Sequence, residues 1–133
     1  MSTKKSFFLQ KSKVYIIAEA GVNHNGKLKN AFKLIDIAAK AKVDAVKFQI
    51  FDPEKICIPK AEQAEYQKKN FKDKDQITML KKLYLPKDNF LNLKKYANRK
   101  KLDFIVTPFD RENLIFLIKK LKLKIIKFSS GDL

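Results

Sequence analysis

A chain of 133 residues with 45% apolar side chains is long enough for one hydrophobic core and too apolar for wholesale disorder. No apolar run approaches the ~18 residues a membrane span needs, and the lysine-broken start has neither the apolar centre nor the small-residue cleavage site of a secretion signal. The net charge of +16 would suit nucleic acid, but only Arg99 and Arg111 are arginines and the lysines are dispersed, so solvated helix surfaces are expected and no nucleic-acid partner.

Residues 1–13 read as an extension. The segment "VYIIAEA" (14–20) has the Val, Ile and Tyr content of a strand and ends in Glu19 before "GVNHNG". His24, the single histidine, reads as a hydrogen-bonding turn residue sooner than as a metal ligand. With one Cys and one His, a zinc-type cluster cannot be assembled. In 28–42, Leu28, Ala31, Phe32, Ile35, Ala38, Ala39 and Lys42 recur at helical spacing and give one apolar face.

A second strand, "DAVKFQI" (44–50), places Lys47 and Gln49 on one face and turns Val46 and Phe48 toward the helices. A long insert follows, roughly 51–85, with Pro53, Pro59 and helical stretches around 61–70 and 75–84. Inserts of that length are lids, binding segments or plain surface elaboration. Cys57, flanked by Ile56 and Ile58, reads as apolar filler sooner than as a nucleophile. A lone cysteine forms no intrachain disulfide and suits a reducing cytoplasm.

Segment 86–101 opens with Pro86 and carries Phe90, Leu93 and Ala97 on one stripe, which predicts a helix. The third strand, "DFIVTPF" (103–109), ends near Thr107. Asp110 then caps "RENLIFLIKKLKL", where Leu114, Leu117, Ile118 and Leu121 share a face. A fourth strand is expected at "KIIKFSS" (124–130), carrying Lys127 and leading into Ser130 and Asp132.

Strand and helix alternate, so the fold class is α/β, with parallel strands in the order 1-2-3-4. Carboxyl ends of parallel strands lie at one edge, and ligands bind there. Glu19, Lys47, Gln49, Thr107, Lys127, Ser130 and Asp132 should therefore converge. Lysines inside strands are costly unless they meet an anion. Two lysines with Thr and Ser hydroxyls suit a phosphate and a carboxylate, and the acids suit proton transfer, a positioned water or a metal. A simple Glu19–Lys47 pair holding the sheet together is the plainer alternative.

The four motifs "IIAEAGVNHNG", "AVKFQIF", "FIVTPFD" and "IKFSSGDL" occur in order over residues 14–133. Together they resemble the N-terminal half of the sialic acid synthases, the N-acetylneuraminate synthases with their legionaminic and pseudaminic acid relatives. The resemblance implies about four strands of a TIM-type eight-stranded β/α barrel. It also implies condensation of phosphoenolpyruvate with an N-acyl mannosamine-type sugar, giving a nonulosonic acid and phosphate.

By motif, Lys47 and Lys127 resemble the lysines that hold phosphoenolpyruvate, with Thr107 and Ser130 as hydroxyl partners. Gln49 resembles a residue near the acceptor sugar, and Glu19 the acid that orients water or a proton. Asp132 stands where many members have Glu, with a shorter reach. The family's divalent metal, typically manganese, would take its histidine ligands from beyond this stretch and none from this chain. A homodimer is implied for the full-length enzyme. On this reading the 133 residues alone are inactive. An inactive half-barrel or assembly module is the rival, and a basic nucleic-acid-binding protein is the weaker one.

Overall fold

The structure, a computed structural model, describes residues 14–56 and 76–132. The extension 1–13, Cys57, Pro59 and the stretch 61–70 lie outside the described residues. Three strands form: β1 (Ile17–Gly21), β2 (Ala45–Ile50) and β3 (Asp103–Pro108). They make one parallel sheet in the order β1-β2-β3. Helix α1 (Leu28–Lys40) joins β1 to β2. The longer connection from β2 to β3 holds α2 (Pro53–Ile56), α3 (Gln76–Leu83) and α4 (Asn89–Arg99). Helix α5 (Arg111–Lys119) follows β3.

The two-residue period of the strands divides the side chains. Val46, Phe48 and Ile50 of β2 and Phe104 and Val106 of β3 are buried in the core beneath the helices. They meet Ala31, Ile35 and Ala38 of α1 and Phe90, Leu93 and Ala97 of α4. Burying a side chain of this kind stabilises by about 1.5–3 kcal/mol. A slip of one residue would replace Val46 and Phe48 in that layer with Lys47 and Gln49, so the core fixes the register. Lys47, Gln49 and Thr107 therefore belong to the opposite face.

The amino-terminal edge of the sheet is tied by side chains. Tyr15 donates its hydroxyl to Asp103 (2.7 Å), and the Ile16 N–H donates to Asp44 (2.9 Å). Burial, with the neighbouring Asp103 carboxylate, raises the Tyr15 pKa and keeps the phenol protonated.

Three expectations need correction. Segment 124–130 is not a ladder strand: it makes one parallel bridge, Val106 with Ile126, and ends in a 3-10 turn at Ser130–Asp132. A parallel strand gains by being covered on both faces, whereas here Lys124, Lys127 and Phe128 are exposed and only Ile126 packs on the core. In α5, Ile118 is exposed and Asn113 is buried instead. Asp110 caps the helix by accepting from the Asn113 N–H (2.8 Å) and also holds the Asn113 side chain, which turns that position inward. Lys94, one of the dispersed lysines expected on solvated helix surfaces, is instead half-buried on α4, and its ammonium donates to the Leu121 carbonyl.

Candidate functional site

Glu19 and Lys47 are direct neighbours across β1 and β2, and their side chains form an ion pair. Lys47 is largely enclosed, with a side-chain exposure of 15%, while Glu19 is half open at 51%. Gln49 lies two residues further along β2 and is in register with Thr107 of β3. At about 3.3 Å of rise per residue, Lys47 and Gln49 stand roughly 7 Å apart on one face.

Gly21 shapes this end of β1. The register shifts between Glu19 and Gly21, and Gly21 has a φ of +51°. A Cβ built there would lie 3.3 Å from Glu19 Oε1 and 4.0 Å from Gln49 Nε2. At this bulge the absent side chain leaves room where the Glu19 carboxylate and the Gln49 amide both approach. The sequence pattern assigned Gly21 no role, although a glycine directly after a strand is the signal for such a bulge.

Thr107 is 2% exposed, and its hydroxyl has no hydrogen-bond partner among the described residues. Most buried hydroxyls are paired, because an unpaired one carries its full desolvation cost. The Gln49 side chain also makes no hydrogen bond among the described residues. Lys127 follows the bridging Ile126 and donates its backbone N–H to Val106 (3.3 Å), which puts it beside Thr107 at the open flank of β3. Its side chain is exposed and no ion pair holds it among the described residues. Ser130 is exposed in the 3-10 turn with Asp132. The structure thus gathers Glu19, Lys47, Gln49 and Thr107 on one face, sets Lys127 at its margin, and leaves Ser130 and Asp132 past the end of the sheet.

His24 is 1% exposed in the loop after β1. Its Nδ1 accepts the Gly26 N–H (3.1 Å), so the ring proton is on Nε2. Burial lowers its pKa. Among the described residues no three His, Cys, Asp or Glu side chains gather into a set that could hold a metal ion.

Above the sheet edge, a second cluster forms from Phe51 and from Met79 and Leu83 of α3, with Leu80 and Phe109 packed on it. It borders a cavity of about 430 Å³ whose described lining also includes Gln49, Asn23 and Asn25. The sequence separates these residues by as many as 87 positions, from Val22 to Phe109, and no single segment announces the cavity.

A parallel β/α sheet with polar side chains at its carboxyl edge is a general frame for ligand binding, and comparisons with known proteins show which family this chain belongs to. The NeuB family matches residues 34–133, and the chain belongs to that family. It is 44% identical over 122 residues to the N,N'-diacetyllegionaminic acid synthase of Campylobacter jejuni, covering 91% of this chain and 36% of that protein. The synthase of the same name from Legionella pneumophila is 42% identical over 120 residues, covering 90% of this chain and 33% of that one. Among solved structures, the N-acetylneuraminic acid (sialic acid) synthetase of Leptospira borgpetersenii, in complex with citrate, superposes with a TM-score of 0.71 at 37% identity. That match covers 90% of this chain and 37% of the other. The chain therefore spans about a third of the length of the relatives it matches. Among the described residues no helix is long and apolar enough to cross a membrane.

Proposed function

We propose that this chain supplies the first β/α units of a TIM-type barrel that condenses phosphoenolpyruvate with an N-acyl amino sugar to give a nonulosonic acid and phosphate. The observation that carries this reading is the shared face of Glu19, Lys47, Gln49 and Thr107, with the Thr107 hydroxyl buried and unpartnered. A hydroxyl in that state is paired once an oxyanion arrives. Lys47, enclosed and charged, offers that anion its strongest local attraction.

In the reaction the methylene carbon of phosphoenolpyruvate would form a bond to the sugar's aldehyde carbon, whose oxygen takes up a proton to become a hydroxyl. Water would add at the phosphate-bearing carbon and give up its protons, and the bond from that carbon to the phosphate oxygen would break, leaving a ketone and free phosphate. Lys47 and Thr107 would hold the donor, with Lys127 and Ser130 closing on it from the flank. Glu19 would orient the water or carry a proton, held at its post by Lys47. Gln49 would face the acceptor. Asp132 remains a proposed second acid, and manganese a proposed cofactor whose ligands lie beyond the described residues. No step here is routed through the metal. The protein is read as cytoplasmic, and as homodimeric at full length.

The test is a titration of phosphoenolpyruvate against the chain, followed by calorimetry or phosphorus NMR. Weak binding is expected, lost in Lys47→Ala and Lys127→Ala and kept in Lys95→Ala, an exposed helix lysine. Equal loss from all three would mean that diffuse surface charge does the binding, and the site assignment would fall.

A further inference from the structure

The amino-terminal edge of the sheet, opposite to the candidate site, carries a charge pattern that the synthase reading does not use. Two β/α units enter their strands through an acid tied to the chain ahead of them. Asp44 accepts the Ile16 N–H, and Asp103 accepts the Tyr15 hydroxyl. The Asp103 N–H donates to the Asp44 carbonyl (3.0 Å), so the two acids stand on consecutive rungs of the edge. Carrying the register of the Val106–Ile126 bridge back by three residues sets Leu123 opposite Asp103, with Lys124 next to it. Lys124 thus takes the place that Asp44 and Asp103 hold in the units before it. The change of sign is not local. Residues 113–131 contain five lysines and no acid. Lys119, Lys120, Lys122 and Lys124 are exposed, and no ion pair holds them among the described residues. Residues 1–13 hold four lysines and no acid, and the acids of 57–75 belong to the connection that leaves β2 at its carboxyl end.

Lysines at a helix carboxyl end complement its dipole and need no other partner, which accounts for Lys119 and Lys120 on α5. It does not account for Lys124, which lies past the helix, or for the recess that it lines. That recess holds about 150 Å³, and Lys122, Lys94, Asn98 and Asp103 also line it. Three lysines there face one carboxylate. Asp103 is already engaged by Tyr15, and Lys94 already donates to the Leu121 carbonyl, so Lys122 and Lys124 are the cations left to attract an anion. The Asp103 carboxylate opposes a dianion such as phosphate more than a single negative charge. No arginine lines the recess, and its one aromatic ring, Phe104, is only 6% exposed, so the bidentate and stacking contacts that nucleic acid uses are missing. A carboxylate fits, and the lysines that flank it along 119–124 favour further carboxylates on the same chain. We propose that this edge docks an acidic segment of a partner protein and seats one of its carboxylates at Lys122 and Lys124. The proposal does not depend on the synthase reading.

The experiment titrates the 133-residue chain into a labelled synthetic peptide of alternating Glu and Gly, followed by fluorescence anisotropy at low salt. Binding is expected, and it should weaken about tenfold in Lys122→Gln/Lys124→Gln, the order expected for two exposed ion pairs. Lys29→Gln/Lys33→Gln removes the same charge from exposed positions on α1 and should weaken it less than about twofold. Lys124→Asp installs the acid of the two preceding units and should weaken binding more than Lys124→Gln does. Melting curves show whether each variant is folded; if the 122/124 double variant is not, Lys124→Gln decides, with an expected loss of about threefold. Equal losses in the two double variants, or no peptide binding, overturn the proposal. An oligothymidylate of matched charge is titrated in parallel and should lose equally in both double variants. A selective loss from Lys122→Gln/Lys124→Gln as large as the peptide's would make the edge a site for a phosphate polymer and overturn the acidic-segment assignment.

Discussion

Thr107 is placed at a cost to the free protein. Its hydroxyl is buried with no partner among the described residues, and burying such a group unpaired costs about 1–3 kcal/mol. Thr107→Val removes the hydroxyl at nearly constant shape. The expected outcome is a gain of about 0.5–2 kcal/mol in urea unfolding, together with weaker phosphoenolpyruvate binding. A loss of stability would mean that the hydroxyl is already satisfied in the folded protein. His24 makes the complementary case, because its strain depends on pH. Burial lowers its folded pKa below the ordinary 6.5 of the unfolded chain. Below that pH the unfolded state takes up a proton that the folded state resists, so stability rises with pH there. The His24 contribution is full above pH 6.5 and is lost as pH falls toward the folded value. His24→Asn keeps an acceptor for the Gly26 N–H. It should cost about 1–3 kcal/mol at pH 7.5 and flatten the decline between pH 7 and 5.5. Urea midpoints at matched pH values measure both effects, and a decline as steep as in the wild type would assign it to other groups.

At the scale of elements, the junction of the β1–α1 loop with α3 depends on one missing side chain. Gly26 has a φ of +67°, and a Cβ there would lie 2.5 Å from the Lys82 carbonyl oxygen and 3.1 Å from that of Tyr84. Those are backbone atoms and cannot rotate aside. Gly26→Ala should cost about 2–4 kcal/mol, combining the left-handed conformation with the contact. It should raise amide exchange in α3 more than in α4; equal rises in both helices would place the damage elsewhere. The strands and helices themselves were legible because each has a clear period: Phe90, Leu93 and Ala97 all reach zero exposure, as their spacing required. The polar face of β2 was legible for the same reason, since Lys47 and Gln49 alternate with Val46 and Phe48. The exceptions arise from interactions with no period. The bulge at Gly21 is a register shift between two strands. Asn113 turns inward through its bond to Asp110. The segment 124–130 has the composition of a strand, but only Ile126 finds a ladder partner, and composition cannot supply the neighbour that pairing needs.

For the molecule as a whole, charge is the dominant asymmetry. Thirty basic residues face fourteen acidic ones, and a surplus of +16 on 133 residues repels itself in the compact state more than in the unfolded chain. Opposing this are exposed ion pairs, among them Lys55–Glu112 (2.6 Å), Lys81–Glu54 (2.7 Å) and Lys100–Asp36 (2.7 Å). Exposed pairs contribute only about 0–1 kcal/mol each. Salt weakens both effects, but the repulsion spans the whole surface and is the larger. The melting temperature should therefore rise by a few degrees as sodium chloride goes from about 20 to 300 mM, where the Debye length falls below about 10 Å. Screening alone predicts that sodium phosphate at equal ionic strength does no more than chloride. A site built from Lys47 and Thr107 predicts more, because an anion that binds only the folded state adds stability by mass action. The additional rise in phosphate should persist in Lys95→Ala and vanish in Lys47→Ala. Identical melting curves in the two salts for the wild-type chain would reduce its attraction for anions to surface charge.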